Sequence, residues 1–264
     1  MSFLLGADPE VFVAKNGRFE PATGLVPGTK TAPHPVPHGA VQVDGLALEF
    51  NIDPASSYDE FQNNLDVVMT MLQAMVPQYE IQQYTSVQIG PLMKERMPPE
   101  ALIRGCSPDL NAYTEENNPS PDEACNIHAA GGHLHIGNIF SEGETEQQRY
   151  KKSLRLARLM DKYVGVYSLL WDKDTLRRQV YGKAGSLRLK DYGMEYRTLS
   201  NAWLFNKKIT KLVYEGTAHA VHALNSGEDV DNESYRHIID NGERHSHFFV
   251  GNFFAERVKE ALVA

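Results

Sequence analysis

The sequence predicts an α+β fold on a largely antiparallel sheet, and two observations support this class. Strand-like and helix-like segments are interspersed without the regular βα alternation of a parallel sheet. Hairpin signals join neighbouring strands: Asn16-Gly17 ends the single strand predicted over residues 3–15, and Asp44-Gly45 is the predicted two-residue turn within residues 40–52. We find no convincing domain linker, so we expect one domain over residues 1–264.

Helices are marked by apolar residues at helical spacing and by capping residues. Ser57-Tyr58-Asp59-Glu60 has the form of a capping box and opens a helix. The apolar stripe of this helix comprises Phe61, Leu65, Val68, Leu72 and Met75. A long helix is predicted over about 145–171, and Gly227 is expected to end a later helix. The remaining predictions are a strand over 84–91, a strand around "MEYRTLS", and helices over 202–226, 233–241 and 252–263.

The bulk composition excludes several protein classes. A net charge of -8 argues against a general binder of nucleic acid or of anionic membranes. The two cysteines, Cys106 and Cys125, are too few for a disulfide framework, so we expect reduced, buried thiols in a cytoplasmic protein. The start of the chain lacks a basic n-region, and no run of about 18 apolar residues occurs, so we expect neither a signal peptide nor a membrane span.

Four strands each carry two polar residues at positions i and i+2, which point to the same face of a strand. The pairs are Asp8 and Glu10, Glu49 and Asn51, His133 and His135, and Glu195 and Arg197. One such pair is typical of a solvent-facing strand. The set as a whole, rich in carboxylates and imidazoles, suits a hard divalent cation such as Mg²⁺ or Mn²⁺ better than zinc.

Residues 171–200 form a basic segment with seven basic and four acidic side chains, a local charge of +3. It could be a solvated, salt-bridged loop. It could equally bind a polyphosphate, because arginines grip phosphate oxygens and glycines allow the backbone to approach. Neither GxxxxGK[ST] nor GxGxxG occurs in the chain, so metals and arginines would have to hold any nucleotide.

Four motifs in the order "GADPE", "VDGLALEFN", "GGHLHIG" and "GMEYRTLSNAW" resemble the carboxylate-amine ligase superfamily. This superfamily includes glutamine synthetase and glutamate-cysteine ligase, and the sequence is most similar to its phage-associated type 2 COOH-NH2 ligases. The resemblance spans about residues 3–205. It implies a glutamine synthetase catalytic-domain-like fold, in which a curved antiparallel sheet has helices on its convex side. ATP and two or three divalent ions would occupy the concave face.

The resemblance also implies roles for individual residues. The metal ligands would be Asp8, Glu10, Glu49, His133 and Glu195. Asp8 stands where the family has a glutamate, which shortens that side chain. His135, Arg178 and Arg188 would contact the ATP phosphates, and Lys183 of the basic segment is a further candidate for that contact. Arg197 would face the phosphoryl group during transfer, with Arg188 assisting in catalysis.

The implied reaction is amide or peptide-like bond formation through an acyl phosphate. ATP phosphorylates a carboxylate substrate, and an amine then attacks the acyl carbon and releases phosphate. The substrates are expected to be small molecules or peptides, in the host cytoplasm if a phage encodes the chain. The base that deprotonates the amine is not identified; Glu49 and a loop acid are the alternatives. The Pro-rich loop 21–40, with Lys30, either covers the substrate or is purely structural.

Other functions remain open at this stage. Metal-dependent hydrolases and cupin-like enzymes also use HxH strands. A cupin would need a glutamate three or four residues beyond His135, where the chain has Asn138 and Ile139. An inactive relative could keep the same residues for nucleotide binding alone. The oligomeric state does not follow from the resemblance.

Overall fold

The computed structural model describes residues 3–95, 97–102, 108–120, 122, 125–230 and 232–263. Thirteen strands, named β1 to β13 in chain order, lie within these ranges. They are Leu4–Ala7, Glu10–Lys15, Arg18–Glu20, His34–Val36, Gly39–Asp44, Ala47–Ile52, Glu80–Gln82, Ser86–Gln88, Leu110–Asn111, Ile127–Ala129, Leu134–Gly137, Ser186–Lys190 and Gly193–Tyr196.

Eight α-helices, named α1 to α8 in chain order, lie within the same ranges. They are Tyr58–Met75, Pro91–Lys94, Glu146–Met160, Val166–Trp171, Arg177–Val180, Lys207–Ser226, Asn232–Asn241 and Phe253–Val263. Short 3-10 segments cover Pro99–Leu102, Asn201–Phe205 and His247–Phe249, and a π-helical turn covers Asp161–Gly165. The predicted α+β class is confirmed.

The strands form antiparallel sheets, as predicted, but in three sections rather than one continuous sheet. One section has the order β1-β11-β13-β12-β9, and a second has the order β3-β2-β6-β5-β4 with β7 paired to β2. Strands β8 and β10 form a separate pair. The described strand pairs are all antiparallel.

The two large sections meet at Asp8 and Pro9, between β1 and β2. We predicted one strand through this point, but proline has no N–H to donate to a ladder, and the strand is divided there. The backbone stays bonded on both sides of the junction: Asp8 N lies 3.3 Å from the carbonyl oxygen of His133, and Phe50 N donates to the carbonyl of Pro9 at 3.1 Å. The junction therefore brings the polar residues of both sections close together.

The hairpin turns decide which side chains face one another. The Asn16-Gly17 turn is confirmed, and both residues have positive φ angles, 53° and 71°. The predicted Asp44-Gly45 turn is wrong by one residue, because Asp44 pairs with Ala47 and the turn is Gly45-Leu46. Gly45 takes the left-handed conformation that this turn requires, with φ 57°. Asp44 consequently remains in β5 and keeps the orientation of the strand.

The helix predictions hold with corrections at the ends. Ser57 caps α1, but the Glu60 carboxylate accepts from Ser56 N at 2.7 Å, outside the capping-box pattern. The complete capping box is that of Thr145 and Gln148 at the start of α3. The run from 145 to 171 is helical, but it includes the π-turn. The predicted start at 202 is wrong, because Asn206 caps α6 and the preceding residues are 3-10.

Further predictions concern one short strand, the Pro-rich loop, the burial of single side chains and membrane spans. The strand predicted over 84–91 is confined to β8. The Pro-rich loop 21–40 includes β4, which pairs with β5, so this loop is partly sheet. Met75 and Cys125 are half-buried rather than buried, and Cys106 lies outside the described residues. Within the described ranges, no helix combines the length and apolar character that a bilayer crossing requires.

The helices cover the apolar face of the first sheet section. Leu134, Ile136, Met194 and Tyr196 are all completely buried and belong to the main core, with residues of α3 and α6. The residues between them along β11 and β13 point the other way, as strand alternation requires. The polar side chains of these strands therefore share the face that the helices leave uncovered.

A buried carboxylate at the π-turn supports β13 from the helical side. Asp161 accepts hydrogen bonds from the hydroxyls of Tyr113 at 2.8 Å and Tyr196 at 2.5 Å. Gly165 makes room for this contact, since a Cβ there would lie 2.3 Å from the Tyr196 hydroxyl. Burial raises the pKa of Asp161 to about 7, although both tyrosine hydrogen bonds lower it. Single π-turns inside α-helices are rare and occur frequently at functional sites.

This pKa makes the stability of the fold depend on pH. The folded state holds the Asp161 proton up to about pH 7, whereas the unfolded chain loses it near 3.8. The free energy of unfolding therefore falls as pH rises through this window, by up to about 4 kcal/mol from this group. Asp161→Asn should flatten that slope in urea titrations between the two pH values. Asp53→Asn, at an exposed carboxylate, should keep the wild-type slope; equal slopes in all three proteins would refute the assignment.

Candidate active site

The register of the first sheet section places polar residues of three strands side by side. His135 pairs with Gly6 on β1 and with Glu195 on β13. Glu195 in turn pairs with Arg188 on β12. Directly opposed residues in an antiparallel pair have Cβ atoms roughly 5 Å apart, so their side chains interact.

Asp8, His135 and Glu195 form the first of two donor groups among the described residues. One ligand atom from each residue lies within 4.8 Å of the others. The Asp8 carboxylate approaches His135 Nε2 at 3.1 Å. Burial raises the pKa of Asp8, but the two histidines outweigh it and hold the pKa well below the usual range. For Glu195, burial and Asp8 raise the pKa, but Arg197 and the histidines outweigh them and bring it to about 2.

These three residues fit a hard divalent cation. Asp8 Oδ1, His135 Nε2 and Glu195 Oε2 are buried and have no well-directed hydrogen bond within the described part of the chain. Their polar neighbours include His133 Nδ1, 3.4 Å from Asp8 Oδ1, Asp8 Oδ2, 3.1 Å from His135 Nε2, and the ammonium of Lys190, 2.9 Å from Glu195 Oε2. Two carboxylates and an imidazole with available lone pairs are ligands of the type that Mg²⁺ and Mn²⁺ accept.

Glu10, Asp44 and Glu49 form the second donor group, again within 4.8 Å. Glu10 and Glu49 are cross-strand partners on β2 and β6. Gln42 donates to Glu49 at 2.7 Å and holds its carboxylate in place. Burial raises the pKa of Glu49 well above its usual value, and the negative charges of Glu10, Asp8 and Asp44 raise it further. A bound cation would relieve this repulsion.

Lys30 contributes one positive charge at the edge of the second group. Its ammonium lies 3.2 Å from the Asp44 carboxylate, and the side chain is about half exposed. The contact places part of the Pro-rich loop 21–40 beside this group. Asp44 was not predicted as a donor because the predicted hairpin turn included it. A turn placed at Gly45-Leu46 would have left Asp44 in the strand.

His133 lies between the two groups and the arginines. Its Nδ1 is 3.4 Å from Asp8 Oδ1 and 3.6 Å from Glu195 Oε1. The ring packs over Gly131, where a Cβ would lie 2.1 Å from His133 Nε2. Gly132 has a different reason: a Cβ there would lie 2.2 Å from the carbonyl oxygen of Ser200. The geometry puts His135 in a donor group and His133 next to it. Which of the two histidines would bind a metal ion and which would contact phosphate therefore stays a prediction.

Arg197 is held in one orientation by buried partners. Its Nε donates to Asp109 Oδ1 at 2.6 Å, and its NH1 lies 3.2 Å from His133 Nδ1. The guanidinium also contacts the Tyr181 hydroxyl and the Glu195 carboxylate. Asp109 and Tyr181 escaped the sequence prediction. Asp109 is 88 residues from Arg197 in the chain, so no local pattern links the two residues.

The other predicted cations divide into two sets. Arg188 faces the cluster: its guanidinium is 3.8 Å from Asp109 and 3.9 Å from Glu195. Arg178 is buried against Asp172, 3.5 Å away. The structure gives Lys183 a backbone role, since its carbonyl accepts from the Thr198 hydroxyl. The geometry thus brings Arg188 and Arg197 to the donor groups, and the described residues supply no contact that would bring Arg178 or Lys183 there.

Arg177, beside Arg178, supports the site from within the protein. Its side chain is completely buried and donates to the carbonyls of Ala130, Thr198 and Leu199 at 2.7–3.2 Å. These carbonyls lie just before the His133 segment and just after Arg197. Arg177 therefore connects the backbone of the two segments that carry the site residues.

Removal of this guanidinium should destabilise the fold. Arg177→Met would remove the donor of the Ala130 and Thr198 carbonyls, whereas the Leu199 carbonyl would keep its hydrogen bond from Gly132 N at 3.0 Å. Each unsatisfied group costs about 1–3 kcal/mol, so we expect the free energy of unfolding in urea to fall by at least about 2 kcal/mol. Arg18→Met is the matched control, because Arg18 is exposed on β3; an equally small change in both variants would contradict this role.

Comparison with known proteins shows which family part of this chain is similar to. No curated protein matches the chain. The crystal structure of a bifunctional glutathione synthetase from Pasteurella multocida aligns with 99% of this chain, at 13% identity and a TM-score of 0.45. This chain spans 46% of the length of that protein.

A family model matches residues 122–234, which include β11, β12 and β13 with His133, His135, Arg188, Glu195 and Arg197. The strands with Asp8, Glu10 and Glu49 lie outside the matched range. The description of the model is "Phage phiEco32-like COOH.NH2 ligase-type 2". Residues 122–234 therefore carry the signature of the phage phiEco32-like COOH.NH2 ligase-type 2 family, which confirms the family resemblance predicted from the motifs.

Proposed function

We propose that this chain is an ATP- and divalent-metal-dependent ligase that joins a carboxylate to an amine through an acyl phosphate. The observation that carries the proposal is the convergence of two donor groups and two arginines on one face of the sheets. The family match over residues 122–234 supports a carboxylate-amine ligase. No observation specifically favours the hydrolase or cupin-like alternative.

The two donor groups would each hold one cation. Asp8, His135 and Glu195 would bind the first, and Glu10, Asp44 and Glu49 the second. Mg²⁺ or Mn²⁺ bound there would neutralise and orient the phosphates of ATP. The chain's own contribution is to keep six ligand side chains in place with cross-strand pairing and with hydrogen bonds such as Gln42 to Glu49.

The arginines would bind the anionic groups of the substrates. Asp109 and Tyr181 fix the guanidinium of Arg197, so its donors are already oriented when an oxyanion arrives. Arg188 shares Asp109 with Arg197 and would grip a neighbouring phosphate oxygen. This arrangement stabilises negative charge on the phosphoryl group as it moves to the carboxylate and, later, leaves as phosphate.

The substrates are proposed to be a small-molecule or peptide carboxylate and an amine. The contact between Lys30 and Asp44 supports a covering role for the Pro-rich loop 21–40, since it places this loop beside the second donor group. Neither nucleic acid nor a membrane is proposed as a partner, in keeping with the net charge of -8.

Cation binding tests the two donor groups separately. We expect calorimetry to show two Mn²⁺ ions per wild-type chain and a rise in Tm with added Mn²⁺. Glu195→Gln should weaken one site and Glu49→Gln the other, each by at least about tenfold, because a charged ligand is lost. Glu60→Gln, at an exposed carboxylate outside both groups, should leave both sites intact. Absence of any Mn²⁺ binding by the wild type would refute the metal-dependent part of the proposal.

Product formation tests the reaction. The protein, ATP and Mg²⁺ would be incubated with a pool of amino acids and peptides and analysed by mass spectrometry. We expect ADP, phosphate and a condensed product lighter than its reactants by one water. Arg197→Met should slow product formation at least about 100-fold, because it removes a preorganised donor for the phosphoryl oxygens, whereas Arg18→Met should not. Cleavage of the peptides without ATP consumption would instead support the hydrolase alternative.

A further inference from the structure

Lys190 is an additional cation at the first donor group. It lies on β12 two residues beyond Arg188, so both side chains point to the same face. Its ammonium is 2.9 Å from Glu195 Oε2, and the side chain is 32% exposed while that of Glu195 is 1% exposed. One partly solvated charge therefore balances a buried carboxylate.

The Lys190 ammonium balances the negative charge of Glu195 without a well-directed hydrogen bond to its carboxylate. Glu195 Oε2 has no well-directed hydrogen bond in the described part of the chain, despite the short distance to Lys190. The other oxygen, Oε1, is contacted by Arg197. The lone pairs of Oε2 thus remain available to a cation that approaches from the side of Asp8 and His135.

A divalent cation and the ammonium cannot both neutralise Glu195 in this arrangement. At about 4 Å apart in a partly buried site, two like charges repel by several kcal/mol, so the cation would displace the lysine. The Lys190 side chain is 32% exposed, so it has room to move away from Glu195 towards solvent.

We propose that Lys190 is a phosphate-binding residue that Glu195 holds until a divalent cation replaces it. The displaced ammonium then contacts a phosphate oxygen of the nucleoside triphosphate that the cation brings. This inference rests on the proposed function. Cation binding and nucleotide binding are then cooperative, because the cation releases the Lys190 ammonium, which binds a phosphate oxygen of the nucleotide.

The test is a pair of affinities measured on the full chain. Lys190→Met removes the internal competitor of the cation, so Mn²⁺ should bind at the first site about fivefold more tightly without nucleotide. The same variant lacks a phosphate contact, so a non-hydrolysable ATP analogue at saturating Mn²⁺ should bind about tenfold more weakly. A purely structural role would not move the two constants in opposite directions.

Two further variants serve as controls. Lys190→Arg keeps the charge and should keep both constants within about twofold of wild type. Lys152→Met removes a lysine of similar exposure, whose partner Glu144 is 2.7 Å away and outside the cluster, and should change neither. Unchanged constants in Lys190→Met, or a change in only one of them, would overturn the exchange. Failure of the wild type to bind Mn²⁺ or the analogue would instead refute the proposed function itself.

Discussion

The site depends on the backbone junction at Asp8 and Pro9. On one side of it, β1 pairs with the His135 strand, and on the other, β2 pairs with the Glu49 strand. Pro9 interrupts the ladder, yet its carbonyl still accepts from Phe50 N, so the two sheet sections stay connected. One short segment thus supplies Asp8 to the first donor group and Glu10 to the second.

Electrostatic repulsion among the clustered acidic side chains explains why cationic and hydrogen-bonding side chains surround them. Buried carboxylates repel one another and need compensating charges or hydrogen bonds. The first group is compensated by Arg197 and Lys190, and the second by Lys30 at its edge. Burial raises the pKa of Glu49, and the negative charges of Glu10, Asp8 and Asp44 raise it further.

The site was predictable only in part from local patterns. Alternation along the strands selected five of the six donor-group residues, because every second side chain of a strand points to one face. It also placed Asp8 and Glu10 on one strand, which Pro9 divides in the structure. The basic segment 171–200 looked uniform in sequence, but its members separate in the structure. Arg197 and Arg188 reach the acids, whereas Arg177 is used entirely on backbone carbonyls. A one-residue error in a hairpin turn was enough to hide Asp44.

Contacts between near neighbours in the chain set the α+β class, the antiparallel pairing, the caps at Ser57 and Gly227 and the alternation of polar residues, so the sequence predicts all four. Which acids form a group, which arginine faces them and which residues orient it follow from the assembled sheets. Those choices depend on strand register and on contacts such as Asp109 to Arg197, which join residues far apart in the chain. Local periodicity carries no information about such pairs, since their proximity arises only when the sheets assemble.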